Sequence, residues 1–212
     1  MIKIFILGSP QIHRNYIRSS LRIADEAVCS YDLKDMKECS ALILPGGGDI
    51  FPYFYGKKTE SQKNINFIRD SLEFEALSYF VANARPVLGI CKGMQTANVF
   101  FGGTLSDCKF AGRHNGSGGK DSRHLVYCLK SGFLNKLYGK KLIVNSYHRE
   151  RVALIGKDLK ISALSGDMTV EAMEHAALPV ILTQFHPERM ALPYTADGAA
   201  VFTYFRKLIA LE

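Results

Sequence analysis

The chain has 212 residues, 47% of them apolar and 22% charged, with a net charge of +7. That length and apolar content suit one large globular domain over residues 1–212 that can bury a sizeable core. No run approaches the roughly 18 uncharged apolar residues of a membrane span, the run 1–7 is too short for a signal peptide, and no RNP-type aromatic set, helix-turn-helix pattern or zinc finger is present, so neither a membrane nor a nucleic acid is expected as a partner. The basic charge reads as a solvated surface or an attraction for small anions, since it is spread along the chain. Cys29, Cys39, Cys91, Cys108 and Cys128 are odd in number and lack C-x-x-C spacing, which excludes a disulfide framework and fits reduced thiols in the cytoplasm.

The run 2–7 ends in Gly8-Ser9-Pro10 and the run 41–44 ends in Pro45-Gly46-Gly47-Gly48, so both read as buried parallel strands that feed loops; 86–90 repeats the scheme. Between them, 70–84 has helical character, with Asp70 and Glu73 spaced as a capping box and Leu72, Ala76, Leu77, Phe80 and Val81 on one face. Strand, helix, strand alternation predicts a parallel α/β sheet. A helix-like stretch follows over 94–101. The segment 109–123 is rich in glycine and basic residues and reads as a mobile loop. Strand signals then recur at 125–129, 142–144, 159–163, 170–173 and 180–184, some of them suited to antiparallel pairing, and 198–211 closes the chain as an amphipathic helix.

The chemistry centres on Gly89-Ile90-Cys91-Lys92-Gly93, a cysteine between two glycines at a strand-to-helix junction. A residue on such a sharp turn needs small neighbours, and the helix it opens offers N–H groups and a positive dipole end to a thiolate or oxyanion. A cysteine nucleophile needs a base. His186-Pro187-Glu188 follows an apolar strand, and in an extended segment residues two apart share a side, so Glu188 can orient the His186 imidazole. The N–H groups of Gly47 or Gly48, together with that of Lys92, are oxyanion-hole candidates. No cluster of His, Cys or Asp has metal-ligand spacing, so neither a metal nor a cofactor is expected.

In the order glycine loop, cysteine elbow and His-x-Glu, these elements resemble the class I glutamine amidotransferase superfamily. The wording of 44–56, Arg69-Asp70, 86–95, Asn98, 102–105, 144–148, 170–174 and 185–188 is similar to the branch that contains γ-glutamyl-γ-aminobutyrate hydrolases. The resemblance implies a three-layer α/β fold with a flavodoxin-like, mostly parallel central sheet flanked by helices. It implies Cys91 as nucleophile, His186 as general acid/base and Glu188 as its orienter. It further implies that Gln95 and the backbone around Asn145, Ser146 and Tyr147 hold the glutamyl α-amino and α-carboxylate groups, with His124 and His148 as pocket residues. Asp49, Tyr53 and Tyr55 are candidates for the pocket mouth.

The expected reaction is hydrolysis of a γ-glutamyl amide, a small-molecule substrate, through a glutamyl thioester. Lys92, where arginine is common in relatives, and the basic loop with Arg113, Lys120 and Arg123 suggest an anionic leaving group bearing phosphate or a nucleotide diphosphate. A glutaminase subunit that feeds ammonia to a separate synthase and a non-catalytic flavodoxin-like binding module are the alternatives. An α/β-hydrolase fits less well, because there the acid lies well before the histidine. Homo-oligomerisation is left open.

Overall fold

The computed structural model describes residues 1–57, 64–108, 114–116, 120–191, 193 and 195–210. In chain order the elements are β1 (Lys3–Leu7), α1 (Arg14–Ser20), β2 (Glu26–Ser30), β3 (Ala41–Leu44), α2 (Phe67–Ala82), β4 (Val87–Ile90), α3 (Lys92–Phe100) and β5 (Thr104–Asp107). There follow β6 (Ser122–Cys128), α4 (Phe133–Tyr138), β7 (Lys141–Ser146), β8 (Glu150–Leu154), β9 (Leu159–Ser165), β10 (Val170–His175), β11 (Val180–Thr183) and α5 (Ala199–Ile209), with short 3₁₀ turns at Leu33–Met36, Pro52–Tyr55 and Pro187–Arg189. No described helix is long and apolar enough to cross a membrane.

One nine-stranded sheet organises the chain in the order β2-β1-β3-β4-β11-β10-β9-β6-β7, and β5 and β8 form a separate two-stranded ribbon. From β2 to β11 the strands are parallel; from β11 outward through β7 each pairs antiparallel with its neighbour. The predicted α/β layering is present. Side-chain alternation along the strands sends Ile4, Ile6, Ile43, Leu88 and Ile90 to the face covered by α1, α4 and α5. Phe5, Leu7, Leu42, Leu44 and Val87 go to the opposite face, under α2 and α3. The strands that carried no strand signal in the sequence are those that need no continuous apolar run: β2 is a partly exposed edge, and β5 and β8 pair only with each other.

The start of α2 departs from the sequence reading. Asn66 is its cap, accepting the Arg69 N–H at 3.0 Å, and Asp70 and Glu73 are wholly buried. They are not a capping box. Instead they flank the ammonium of Lys92, which lies 2.8 Å from Asp70 Oδ1 and also pairs with Glu73 Oε2. Thr96 Oγ1 donates to Glu73 Oε2 at 2.8 Å, Arg69 Nε donates to Glu73 Oε1 at 2.8 Å, and the Phe51 N–H donates to Asp70 Oδ2 at 2.8 Å. Burial by itself raises the pKa of Glu73, but the two cations outweigh it and hold the carboxyl below its ordinary value. Two cations and two carboxylates therefore compensate one another between α2 and α3.

Removing one charge from a buried set leaves its partner uncompensated, at a cost of about 3–5 kcal/mol. Lys92→Met should lower the unfolding free energy by about that amount in urea titrations, whereas Lys92→Arg, which keeps the charge, should lose less. A Lys92→Met protein within about 1 kcal/mol of the parent would show that the network does not hold α2 to α3.

Candidate active site

Strands β4 and β11 are parallel neighbours with Ile90 opposite Thr183. Cys91, the first residue past β4, and His186, three residues past β11, therefore leave the carboxyl ends of adjacent strands, where open α/β sheets bind their ligands. Cys91 adopts φ 53° and ψ −106°, a conformation that costs on the order of 1–3 kcal/mol in a non-glycine residue. Its N–H donates to Thr183 O at 2.7 Å, and a side chain at Gly93 would put Cβ 2.1 Å from Leu44 O. The elbow thus depends on a glycine next to the sheet. Past it, α3 begins at Lys92, so the Lys92 N–H is among the helix donors without an intrahelical partner.

His186 is buried, and its Nδ1 donates to Glu188 Oε1 at 2.9 Å, which leaves Nε2 for the Cys91 thiol with which the ring interacts. Burial opposes the imidazolium, but the Glu188 carboxylate and Cys91 outweigh it and raise the His186 pKa. In return the imidazolium holds Glu188 below its ordinary range, although burial pushes the other way. Asn145 fixes the histidine backbone from both sides, accepting the His186 N–H on Oδ1 and donating from Nδ2 to His186 O, each at 3.0 Å. Asp121 accepts from Asn145 Nδ2 at 3.0 Å and takes two further bonds from Arg189, at 2.8 and 3.1 Å.

The glycine loop sits against this array. A Cβ at Gly46 would lie 2.9 Å from His186 Cε1 and 3.0 Å from Tyr16 Oη, so the backbone comes as close as a side-chain-free residue permits. Arg69 Nη2 donates to the Gly46 and Pro45 carbonyls at 2.9 and 3.4 Å, and the Gly46 N–H donates to Tyr16 Oη at 3.0 Å. In a trans peptide the N–H points opposite to the preceding carbonyl, so the clamp turns the Gly47 N–H away from Arg69. Burial, reinforced by Glu188, pushes the Tyr16 phenol well above its ordinary value, which keeps it a neutral partner.

A cavity of about 270 Å³ gathers Gly47, Gly48, Cys91, Gln95, Tyr147 and His148, all singled out in the sequence. Asp49 lines it too, and its carboxylate lies 3.2 Å from Arg149 Nη2, so one cation and one anion face the same space. Gln95 Nε2 donates to Glu150 O at 3.0 Å and to Gln184 Oε1 at 3.2 Å. The other expected residues lie elsewhere. The Asn145 side chain grips His186 and lines a different cleft, and Ser146 Oγ is buried and donates to His114 O at 2.9 Å. Tyr53 is exposed, and Tyr55 donates to Glu150 Oε1 at 3.0 Å.

The Lys92 ammonium points into the core between α2 and α3, so its side chain cannot meet a substrate; only its N–H remains available to the site. Within 109–123, residues 109–113 and 117–119, Arg113 among them, lie outside the described residues. Lys120 and Arg123 line a separate cleft with Arg189. His124 lies beside His114 and Glu171 rather than at the cavity. Arg69 was visible in the sequence only as part of a motif, and Tyr16, Asp121 and Arg149 carried no signal there, because their partners come from distant segments.

The comparisons agree with this architecture. The glutaminase domain of Trypanosoma brucei CTPS, solved with bound acivicin, superposes with a TM-score of 0.70 at 18% identity, covering 100% of this chain and 95% of that one. A γ-glutamyl-CDP-amidate hydrolase of Campylobacter jejuni is 30% identical over 70% of this chain and 62% of its own length. A glutamine-hydrolyzing GMP synthase subunit of Pyrococcus abyssi is 29% identical over 98% of both. The chain spans half to two thirds of the length of several other curated relatives that it matches. Peptidase C26 matches residues 27–188, and with the shared fold this makes the chain a member of the Peptidase C26 family of glutamine amidotransferase-like proteins.

Proposed function

We propose that the protein hydrolyses γ-glutamyl amides with Cys91 as nucleophile. The observation that carries the reading is the Cys91–His186–Glu188 array, with a strained cysteine at a helix N-terminus and its imidazole held by a buried carboxylate, at the edge of a cavity lined by Gly47 and Gly48. The glutamyl group is a zwitterion. Arg149 and Asp49 suit its α-carboxylate and α-amino groups, and Gln95 and Tyr147 wall the space between them.

In the first step Cys91 Sγ, its proton passed to His186, bonds to the γ-carbonyl carbon as the carbonyl π electrons move to oxygen, and the resulting oxyanion accepts from the N–H groups of Lys92 and Gly47 or Gly48. The C–N bond then breaks, with His186 delivering its proton to the departing nitrogen, and a glutamyl thioester remains. Water next gives a proton to His186 and its oxygen to the thioester carbonyl; the C–S bond breaks and glutamate leaves. Cys91→Ala should reduce glutamate release by at least about 10³-fold with folding intact, and an undiminished rate would exclude the mechanism.

Glu188 favours the charged imidazole, so Glu188→Gln lets burial dominate and lowers the His186 pKa. The alkaline limb of the kcat/KM profile should move to lower pH and the rate of Cys91 alkylation near neutrality should fall. A profile identical to the parent would remove Glu188 from the array.

A leaving group that bears phosphate is favoured by two observations. One relative is named for γ-glutamyl-CDP-amidate, and Lys120, Arg123 and Arg189 line a cleft on the Asn145 side of His186. With that compound as probe, Lys120→Ala combined with Arg123→Ala should raise KM several-fold while leaving KM for an uncharged γ-glutamyl amide unchanged; equal effects on both would restrict the proposal to a neutral amine. The similarity to the GMP synthase subunit supports a second reading, in which glutamine is the substrate and ammonia passes to a synthase partner. Under that reading glutamine turnover would exceed that of every larger γ-glutamyl amide.

A further inference from the structure

Behind the wall of the cavity, three side chains from distant segments converge on one buried point. Glu171 of β10, His148 just past β7 and His114 are 0%, 5% and 1% exposed, and their ligand-type atoms lie within 4.8 Å of one another. Each histidine has its tautomer set from outside. His114 Nε2 donates to Asp167 Oδ2 at 2.9 Å, and His148 Nδ1 donates to Glu150 O at 2.9 Å. The opposite nitrogens, His114 Nδ1 and His148 Nε2, face Glu171 Oε1 at 3.3 and 3.9 Å, and in the neutral imidazole each carries the lone pair. None of His114 Nδ1, His148 Nε2 and Glu171 Oε2 has a hydrogen-bond partner among the described residues.

With both rings neutral, three acceptors face one another in a buried site and attract a cation, which takes the place of a proton between His114 and Glu171. The outer contacts are those of a metal centre, in which a ligating histidine gives its second N–H to a carboxylate or carbonyl. Metal bonds of about 2.0–2.1 Å in a tetrahedron place ligand atoms roughly 3.3 Å apart, the separation already present between His114 and Glu171. His124 Nε2 lies 3.1 Å from Glu171 Oε1 and orients the carboxylate. Cys108 Sγ lies 3.6 Å from His148 Nδ1, on the far side of that ring. A cleft of about 190 Å³ lined by His114, His124, Ser165 and Asp167 opens beside the cluster, on the outer side of the His114 ring.

We propose that His114 Nδ1, His148 Nε2 and Glu171 bind one divalent transition-metal ion, with Zn²⁺ the ion that this nitrogen–nitrogen–oxygen set suits. The backbone is prepared for it: the His148 N–H and Ser146 Oγ both donate to His114 O at 2.9 Å, which ties two ligands together. His148 is also part of the cavity wall, and the Tyr147 carbonyl beside it lies 3.9 Å from Cys91 Sγ, so the ion stiffens the segment that faces the reactive thiol.

The test is Zn²⁺ titration of chelator-stripped protein against a chromophoric competitor, with Cys91→Ala alongside the parent so that zinc on the Cys91–His186 pair is told apart. One equivalent is expected in both. Asp167→Asn, which changes the acceptor of His114 Nε2 while keeping an amide oxygen for Ser165 and Thr169, should weaken binding by ~10-fold to ~100-fold, and His114→Ala by more. Because His114→Ala can disturb folding, Co²⁺ bound to the Cys91→Ala protein supplies an independent measurement: visible d–d bands of a four- or five-coordinate ion are expected, without a thiolate-to-cobalt band. No bound equivalent in Cys91→Ala, binding that His114→Ala leaves unchanged, or a thiolate band from Cys108 would each overturn the proposal.

Discussion

Lys92 buries its ammonium between the Asp70 and Glu73 carboxylates, and Arg69, one turn back along α2, takes the remaining face of Glu73. An unpaired charge in that position would cost several kcal/mol, so the four groups hold their geometry together or not at all. Their other contacts lead to the site. Arg69 grips the carbonyls of the glycine loop, Asp70 holds the Phe51 N–H beyond that loop, and Lys92 is itself the residue after Cys91. A single electrostatic knot thus sets the distance between the glycine loop and the cysteine elbow, and it gives the strained Cys91 backbone a rigid support on the helix side.

The sheet divides the work. Its parallel part brings the carboxyl ends of β3, β4 and β11 together, and with them the glycine loop, Cys91 and His186. The antiparallel part beyond β11 contributes the walls: β7 leads into Tyr147, His148 and Arg149, and β10 carries Glu171 behind them. Gln184 N donates to Glu171 O at 2.8 Å and Gln184 Oε1 accepts from Gln95, so the two parts meet in hydrogen bonds between the cavity and the histidine cluster. The strain at Cys91 is sustained because neighbours on both sides fix it, as a backbone outside its preferred region requires.

Asn145 separates the cavity at Cys91 from the cleft of Lys120, Arg123 and Arg189. Its amide spends both ends on the backbone of His186 and so fixes where the imidazole sits. Lys120 and Arg123 line that same cleft, with Arg123 opposite Asn145 in the β6–β7 pairing.

The elbow, the glycine loop and the His-x-Glu pair were legible in the amino-acid sequence because each is a local backbone device. Gly93 permits contact with Leu44, Gly46 permits contact with His186, and two residues of spacing suffice to set Glu188 on His186. The buried strands were legible for the same reason, as continuous apolar runs. Asp70 and Glu73 misled, since a capping-box spacing is also the spacing of two carboxylates on one helix face, and only the approach of α3 distinguishes them. Partners 41 residues apart, as Asn145 and His186 are, or 47 apart, as His124 and Glu171 are, leave no trace in local spacing. The sequence by itself determined the local devices, the glycine-flanked turn at Cys91 and the two-residue spacing that sets Glu188 on His186. Which side chains enclose it, which cations are buried and where three histidines meet a carboxylate were decided by the tertiary structure, because sheet order alone brings those segments together.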